Sequence, residues 1–415
     1  MTETKKIATA IVRKLVAAGY TAYFAGGWVR DYLMGHPSED IDIATDAPPE
    51  KIIDLFPKTL LVGVAFGVVV VIVDGHQFEV ATFRRDIDYA DGRKPSKIEL
   101  STAEEDAFRR DFTINGMFYD PLEDVFHDFV KGKEDIQHGV IRAIGNADER
   151  FVEDRLRMIR AVRFAARFAF NISSETQSAI EANADTLFPA VAMERIWQEI
   201  GKMARYPRFD WALIEMHRLQ LLPVIFPALQ GVHLNEIKKR VAGFPLFPKQ
   251  ADPILFVMQL FPEATPKESK ELCLYLHTSN HEANLAEFFV SVRNCVESGR
   301  LLDIVDLCAW VPKYAHPAIG TCIEIISTYL SPEERLEFLT MHRNRAKKLS
   351  LHVQRAKDKA PLINATFLQT LGIKPGKLMG LLIKEGERIA ILHDLSEADD
   401  VLSFLKKGHL WPEEI

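Results

Sequence analysis

The stretch Glu39-Asp-Ile-Asp-Ile-Ala-Thr45 decides how the rest of the chain is interpreted. Successive side chains of a β-strand alternate between its two faces, so Asp40 and Asp42 are predicted to project together, with the isoleucines packed behind them. Two carboxylates about 7 Å apart on one strand face can bind a pair of hard divalent cations, such as Mg²⁺. The same short pattern also occurs on solvated strand edges, so it needs support from its neighbours.

That support comes from Gly26-Gly-Trp-Val-Arg30-Asp31, which follows a strand-like segment at residues 21–25. Gly27 allows the backbone to approach a polyphosphate closely, and the guanidinium of Arg30 offers a planar cationic fork for its oxygens. Paired glycines alone indicate a turn more often than a phosphate site. In this order, over residues 26–42, the two patterns together predict a site for nucleotidyl transfer from a triphosphate.

Bulk properties restrict the class of protein. The 415 residues, 47% of them hydrophobic, are expected to divide into several subdomains. A net charge of −7 argues against a protein that coats nucleic acid, although it allows a local basic groove. Four cysteines without C-x-x-C spacing argue against a zinc site and a disulfide framework. The cysteine pattern fits a reducing cytoplasm, and no apolar run is long enough for a membrane span, so we expect a soluble, cytoplasmic protein. A monomer or homodimer is expected.

The strand signals are confined to residues 1–148. An amphipathic helix is predicted over residues 2–18. Strands are then predicted over residues 22–25, 41–44, 67–73 and 77–83. Asp74-Gly75 joins the last two strands as a hairpin. Glu79 on the return strand is predicted to complete a carboxylate trio with the two aspartates; the alternative is an ordinary surface strand residue.

Two further segments carry predictions about local structure. Residues 84–108 are polar, rich in charge and without a period, which predicts a mobile loop; Gly92 lies within it. Apolar residues recur at helical spacing over residues 150–170, which predicts one long, arginine-rich helix. Helical segments are predicted for most of the remaining chain.

On the predicted helix, Asp154, Arg157, Arg160 and Arg163 fall within one polar arc. A carboxylate beside a guanidinium can bind the Watson–Crick edge of a base, because arginine donates to acceptors while aspartate accepts from an exocyclic amine. An ordinary i, i+3 salt bridge is the alternative. Basic residues also cluster over residues 343–359, and both clusters either contact a long polyanion or form solvated helix faces.

Between these segments lies Arg109-Arg110-Asp111-Phe-Thr-Ile-Asn115. Arg110 is predicted to hold a phosphate, while Asp111 and Asn115 are predicted to grip the ribose hydroxyls and so select ribonucleotides. A capped helix start would explain the same residues without any chemistry.

Taken together, the motifs resemble those of the class II tRNA nucleotidyltransferases, a family that comprises the CCA-adding enzymes and the bacterial poly(A) polymerases. The motifs are Gly26-Gly-x-x-Arg30-Asp31, Asp40-x-Asp42, Arg109-Arg110-Asp111-x-x-x-Asn115, Glu153-Asp154-x-x-Arg157 and Glu194-Arg195-x-x-x-Glu199. A weaker similarity covers residues 372–380. The resemblance implies an α+β fold: a polymerase-β-like head with a small mixed sheet (1–148), then an all-α neck (149–200), body (201–340) and tRNA-binding tail (341–415).

The resemblance also implies roles for individual residues. Asp40 and Asp42 correspond to the Mg²⁺ ligands. The nucleotide-binding residues implied are Gly27, Arg30, Arg110, Asp154, Arg157, Arg160 and Arg163. Asp154 and Arg157 would act as a protein template for C and A. Glu194 and Arg195 would support the neck helix.

The activity implied is the addition of C, C and A to the 3′ end of tRNA, which is bound by its acceptor arm, with CTP and ATP as substrates. A poly(A) polymerase, an A-only enzyme and a CC-only enzyme share these motifs and stay open as alternatives. The family's CC-only members have a shortened loop at the position of residues 84–95, so complete CCA addition is expected here. A small-molecule nucleotidyltransferase and an inactive RNA-binding protein are the remaining alternatives.

Overall fold

The predicted strands assemble into one mixed sheet in the computed structural model, which describes residues 2–36, 38–61, 67–89, 95–297 and 304–412. The strands are β1 (Ala22–Ala25), β2 (Asp42–Thr45), β3 (Thr59–Leu60), β4 (Val68–Val73), β5 (His76–Thr82), β6 (Arg84–Tyr89), β7 (Pro95–Leu100), β8 (Phe118–Asp120), β9 (Val125–His127), β10 (Val140–Ile141) and β11 (Asn171–Ile172). Seven of them form the main sheet in the order β3-β4-β5-β2-β1-β8-β9. The four predicted strands and the hairpin turn at Asp74-Gly75 are confirmed to within one residue.

The register of the sheet brings the predicted site residues to one edge. Ala25, the last residue of β1, pairs with Asp42, the first residue of β2. Strand β5 runs parallel to β2 with Ile43 opposite Val80, so the preceding pair of positions is Asp42 and Glu79. Neighbouring residues in register project from the same face of a sheet. These two carboxylates therefore lie beside each other, next to the Gly26 turn that follows β1.

Helices cover both faces of the sheet and form the rest of the chain. Their bounds are α1 (Glu3–Ala17), α2 (Gly27–Leu33), α3 (Pro49–Leu55), α4 (Ala103–Phe108), α5 (Gly132–His138), α6 (Ala147–Glu153), α7 (Leu156–Phe168), α8 (Ser174–Asn183), α9 (Met193–Met203), α10 (Phe209–Arg218), α11 (Leu221–Ile225), α12 (Leu234–Val241), α13 (Pro253–Val257), α14 (Pro266–Tyr275), α15 (Asn280–Glu297), α16 (Ile304–Ala315), α17 (Ile319–Ser327), α18 (Pro332–Lys348), α19 (Ser350–Asp358), α20 (Ala365–Thr370), α21 (Lys377–His393) and α22 (Ala398–Leu405). Residues 1–239 and residues 240–415 form two separate compact units.

The alternation of the strands builds two apolar layers in the first unit. Phe24 and Ile43 project to one face, where they pack with Ile11 and Leu15 of α1. Ala25 and its neighbours project to the other face, where a smaller cluster includes Ala44, Phe118, Ala107 of α4 and Ile144. Asp42 pairs with Ala25 and so lies on this second face, the one that α4 covers.

The prediction of a mobile loop over residues 84–108 is wrong for the described part. Strands β6 and β7 form a separate two-stranded antiparallel sheet, and α4 follows with Thr102 as its N-cap. A two-stranded ribbon is held by backbone hydrogen bonds and buries little surface, so its sequence carries a weak apolar pattern. Gly92 and the rest of residues 90–94 lie outside the described residues.

The prediction of one long helix over residues 150–170 is also wrong. Helix α6 ends at Glu153, Asp154 has extended backbone angles (φ −147°, ψ 103°), and α7 begins at Leu156. The Asp154 carboxylate accepts the backbone N–H of Leu156 at 3.1 Å. Local bonding of this kind competes with helix continuation, which is why an apolar period alone did not reveal the break.

The second unit is helical throughout its described part. Its last three helices, α20 to α22, and the segments beside them bury an apolar core that includes Ile363, Leu382 and Leu405. Helices α14 and α18 begin with capping boxes, at Thr265 and Ser331 respectively, which satisfy the N–H groups of their first turns.

No helix in the described ranges combines the length and the apolar character that crossing a bilayer requires.

Candidate active site

A polar cavity of about 370 Å³ opens at the sheet edge that carries Asp42. Its lining combines five arginines with three aspartates, so its wall has an excess of positive charge. The lining residues are Gly26, Gly27, Arg30, Asp42, Arg109, Arg110, Asp111, Asn115, Asp154, Arg157, Arg160 and Phe164. Nine of the residues predicted from the sequence are among them, and together they form a pocket suited to a polyanion with a polar head.

The carboxylates at the sheet edge repel one another. Burial, Asp40 and Glu79 together raise the pKa of Asp42 to about 6, and Arg110 only partly opposes the shift. Asp42 is half-buried, whereas Asp40 and Glu79 are exposed and do not line the cavity. The described side chains therefore leave this edge with an excess of negative charge.

Within the described ranges, no group of three or more histidine, cysteine, aspartate or glutamate side chains is close enough to hold a metal ion without other ligands. Asp40, Asp42 and Glu79 are near enough for their charges to interact but do not form such a group. A cation at this edge would need further oxygen ligands, which the phosphates of a bound nucleotide can supply. Whether Glu79 binds a metal stays a prediction.

Gly26 makes close contact with the arginine wall. Its φ of +63° is a conformation that favours glycine, and a Cβ atom there would lie 3.0 Å from Nη1 of Arg110. The Arg110 guanidinium also stacks over the ring of Phe118, 5.0 Å from its centroid. The glycine turn thus lets Arg110 reach the cavity directly beside Asp42.

Arg30 is held rigidly although it lines the cavity. Its guanidinium donates to Asp31 at 2.8 Å and to the side-chain oxygen of Asn115. Asp31 in turn accepts a 3.2 Å hydrogen bond from Arg167 of α7. The resulting chain of contacts runs through Arg167, Asp31, Arg30, Asn115, Asp111 and Arg160. It begins and ends on α7, so the head and this helix form one connected wall.

The Asn115 amide donates to Asp111 at 3.0 Å, so the two side chains lie together; their binding of a ribose stays a prediction. Burial opposes ionisation of Asp111, but Arg160 and Asn115 outweigh it and lower its pKa to about 2. The residues do not cap a helix of any length: the backbone N–H that Asp111 accepts is that of the adjacent Phe112, and residues 113–115 form a single 3₁₀ turn without a side-chain cap. The helix-cap alternative is therefore wrong.

Asp154 and Arg157 do not form the i, i+3 pair considered from the sequence. Asp154 accepts from Arg195 of α9 at 3.1 Å, and Arg157 donates to Glu153 at 2.7 Å. Arg157 also donates to the backbone oxygen of Arg109 at 3.1 Å. Each side chain is fixed by a different partner, and both line the cavity. The contact of Arg195 agrees with the supporting role that the resemblance implied for it.

The remaining arginines of α7 are paired rather than solvated, so the alternative of a solvated helix face is wrong for them. Arg163 has 8% of its side chain exposed, binds Glu199, and does not line the cavity. Arg160 and Arg167 bind Asp111 and Asp31. The structure therefore separates Arg163 from the other predicted nucleotide-binding residues.

Three residues of the site received no role from the sequence. Arg109 and Phe164 line the cavity, and Phe164 lies beneath the guanidiniums of Arg30, Arg160 and Arg163 at 5.4, 5.3 and 4.2 Å. Asp106, behind the wall, binds both Arg109 and Arg110. The spacing Asp106-x-x-Arg109-Arg110, one helical turn, was the available signal.

A larger cavity of about 940 Å³ lies elsewhere in the first unit, lined by residues between 181 and 234. Its charged lining side chains are Glu181, Asp185 and Arg218, and Arg218 is already bonded to Glu181 at 3.0 Å. It lacks the arginine wall and the carboxylate edge. We therefore assign the candidate active site to the smaller cavity.

A mixed sheet with a carboxylate pair at one edge and an arginine-lined cleft beside it defines a polymerase-β-like nucleotidyltransferase head. The sequence profile of the Poly A polymerase head domain matches residues 22–142, and that described as "Probable RNA and SrmB-binding site of polymerase A" matches residues 169–231.

Several proteins similar to this chain are CCA-adding enzymes. The CCA-adding enzyme of Ligilactobacillus salivarius is 32% identical over 399 residues, 96% of this chain and 95% of that protein. The CCA-adding enzyme of Geobacillus thermodenitrificans is 45% identical over 201 residues, so in that alignment the chain spans about half of its relative's length (49%). A crystal structure of the Bacillus stearothermophilus CCA-adding enzyme with CTP has a TM-score of 0.72 at 27% identity and covers 98% of both chains.

The chain belongs to the CCA-adding enzyme family. This confirms both the family resemblance and the α+β fold class predicted from the sequence motifs.

Proposed function

We propose that this protein adds C, C and A to the 3′ end of tRNA, with CTP and ATP as substrates and pyrophosphate as product. The observation that carries the proposal is the juxtaposition, in one cavity, of Asp42 with a wall of five arginines. In-line displacement at a phosphorus requires an anionic metal site beside a cationic triphosphate site. The family membership supports the same reaction.

The triphosphate would lie along Gly27, Arg30 and Arg110. Arg30 has five N–H donors, of which its protein contacts use only part, so it can also bind a phosphate oxygen. Arg110 lies between Gly26 and Asp42, where it can hold a second phosphate. Fixed guanidiniums require little reorganisation when charge develops on the leaving pyrophosphate.

The residues at the sheet edge fit a divalent cation, Mg²⁺ in our proposal. Asp40 and Asp42 would hold it. Burial and the charges of Asp40 and Glu79 raise the pKa of Asp42, and a cation would oppose both effects. When bound, the metal supplies a lower pKa for the attacking 3′-hydroxyl and charge compensation for the triphosphate.

Ribose and base would be bound by the other end of the cavity. Asp111 accepts from Nε and Nη2 of Arg160, from the Asn115 amide and from a backbone N–H, which fills its acceptor capacity. A ribose hydroxyl would therefore replace one of these donors, or accept the second amide N–H of Asn115. Asp154 and Arg157 would read the base edge from the positions fixed by Arg195 and Glu153. Arg160 and Arg163 would complete the set, Arg163 through its contact with Phe164.

The four-part division into head (1–148), neck (149–200), body (201–340) and tail (341–415) is proposed to serve one RNA substrate. The basic residues of α18 and α19, including Arg345, Lys348 and Lys357, would contact the tRNA backbone. Contacts with the phosphate backbone position the tRNA and do not select the nucleotide that is added.

The test is incubation of two RNAs, tRNA that lacks its terminal trinucleotide and tRNA that ends in CC, with CTP, ATP or both, followed by sequencing of the 3′ ends. We expect CC with CTP alone and CCA with both nucleotides. A long A tail would identify a poly(A) polymerase instead, and addition that stops at CC or begins only from CC would identify the partial enzymes. A purified protein that adds no nucleotide to any of these RNAs would contradict the proposal.

A further inference from the structure

Asp106 lies behind the arginine wall, in a position that controls two of its members. It belongs to α4 (Ala103–Phe108), and its side chain is 1% exposed. Arg109 donates to its Oδ1 from Nε at 2.8 Å. Arg110 donates to its Oδ2 from Nε and Nη2 at 3.1 and 2.9 Å. One buried carboxylate therefore orients two adjacent guanidiniums.

A fourth donor joins this carboxylate to the β6–β7 hairpin. The backbone N–H of Arg84, the first residue of β6, donates to Oδ1 at 3.3 Å. With four N–H donors the acceptor capacity of a carboxylate is essentially filled. Asp106 also does not line the cavity. It therefore has no site left for a nucleotide or a metal, and its influence must pass through its partners.

The ionised state of Asp106 depends on both arginines. Burial opposes ionisation of Asp106, yet Arg110 and Arg109 outweigh it and lower its pKa, so the carboxylate stays charged at neutral pH. Without that charge the two guanidiniums would repel each other. Arg110 has little room to adjust, since the Gly26 turn, the Asn115 carbonyl oxygen at 3.4 Å and the Phe118 ring surround it.

We propose that Asp106 is a positioning residue that holds Arg109 and Arg110 at the cavity wall and couples them to the first residue of the β6–β7 hairpin. The kinetic part of this inference rests on the proposed function, in which Arg110 contacts a phosphate common to CTP and ATP. The effect of Asp106 is therefore independent of the base, unlike that of Asp154 and Arg157.

The first test measures kcat and KM separately for CTP and ATP in Asp106→Asn. The amide keeps the shape but presents N–H groups to a guanidinium, so we expect KM to rise about tenfold or more for both nucleotides, with their ratio unchanged. The matched control is Asp128→Asn, a head carboxylate that accepts only backbone N–H groups and does not line the cavity. Unchanged KM values, or an increase for one nucleotide alone, would overturn the proposal.

A second variant covers the case in which Asp106→Asn does not fold. Asp106→Glu keeps the buried charge but displaces it by one methylene, so it should restore folding while KM for both nucleotides stays raised. Wild-type KM values in Asp106→Glu would show that the charge alone matters and not the position, which contradicts a positioning role.

The coupling to the hairpin is tested by hydrogen exchange of peptides that cover β6, with and without CTP and Mg²⁺. CTP should change exchange at the start of β6 in the wild type and in Asp128→Asn, but not in Asp106→Glu. An identical response in Asp106→Glu would refute the coupling. This measurement needs no RNA, so a wild type that binds CTP but extends no tRNA would contradict the proposed function while leaving the coupling intact.

Discussion

The two walls of the cavity differ in the charge that surrounds their aspartates. At the sheet edge, Asp42 faces Asp40 and Glu79, and its pKa is raised to about 6. On the opposite wall, Asp111 is surrounded by Arg160 and Asn115, and its pKa is lowered to about 2. Burial disfavours ionisation of both aspartates, but anionic neighbours add to that effect at Asp42, whereas cationic neighbours outweigh it at Asp111.

The two walls therefore differ in the charge of the ligand that each can bind. The arginine wall is rigid, with each guanidinium held by a carboxylate such as Asp31, Asp106 or Glu153, but these carboxylates are shared between arginines, so positive charge is left over. The sheet edge is incomplete without a cation. A bound metal and a bound triphosphate would therefore stabilise different walls, and variants of each wall should fail in different ways.

The largest expected effect is the loss of catalysis when the sheet edge is altered. Asp42→Ala should lower nucleotide incorporation by at least about a hundredfold, because the metal site contributes several kcal/mol to the transition state. tRNA binding, measured by filter retention, should change little. Asp46→Asn is the control, since that exposed carboxylate accepts only the Thr21 backbone N–H. Residual turnover above about one per cent would count against the metal assignment.

Alteration of the opposite wall should change the choice of base. A double variant, Asp154→Ala with Arg157→Ala, should admit UTP and GTP, because a good bidentate pair contributes about 1–3 kcal/mol of discrimination. Competition between the four nucleotides on truncated tRNA measures this. The control pair, Glu149→Ala with Arg155→Ala, removes the same charges outside the cavity lining. A slower enzyme with unchanged nucleotide preference would limit both residues to a structural role.

The segment that joins β6 and β7 is predicted to affect the addition of A more than the addition of the two C residues. Deletion of residues 88–94, most of which lie outside the described residues, should leave CC addition largely intact and suppress the terminal A. A shortened hairpin would restrict the adjustment from a pyrimidine to a larger purine. Replacement of the same residues by a glycine-serine segment of equal length keeps the length and removes the charges, so it shows which of these two properties the addition of A requires. Equal loss of both steps would show that the hairpin only supports the head.

The smallest expected effect is a pH-dependent change in stability. The pKa of Asp42 is raised on folding, so its ionisation destabilises the metal-free fold as pH rises from about 4 to above 6. Asp42→Asn should therefore raise the unfolding temperature at pH 7.5 in EDTA and have little effect near pH 4.5. About two pKa units correspond to at most about 3 kcal/mol, and solvent contact reduces this to roughly 1 kcal/mol.

Added Mg²⁺ provides the internal check on that measurement. It should stabilise the wild type at pH 7.5 but not Asp42→Asn. The same difference in unfolding temperature between the two proteins at both pH values would mean that Asp42 is not electrostatically strained.

The sequence determined the family, the fold class and most of the cavity lining. Strand alternation places Asp42 on the face opposite Ile43, and that period of two holds in any fold that buries the isoleucine. The order of the glycine, aspartate and arginine motifs was likewise readable, because each motif lies within a short segment. Local geometry and residue chemistry were sufficient for these predictions.

Only the tertiary structure decided the pairing of the charges. Arg163 binds Glu199, 36 positions away, and Asp154 binds Arg195, 41 positions away. No sequence spacing fixes such partners, because they depend on how α7 and α9 pack. The helix break at Asp154 and the pairing of β6 with β7 were missed since their hydrogen bonds, unlike apolar burial, leave no strong period in the sequence. Asp106 gained its role in the same way, when folding brought the N–H of Arg84 to a carboxylate that already bound two arginines.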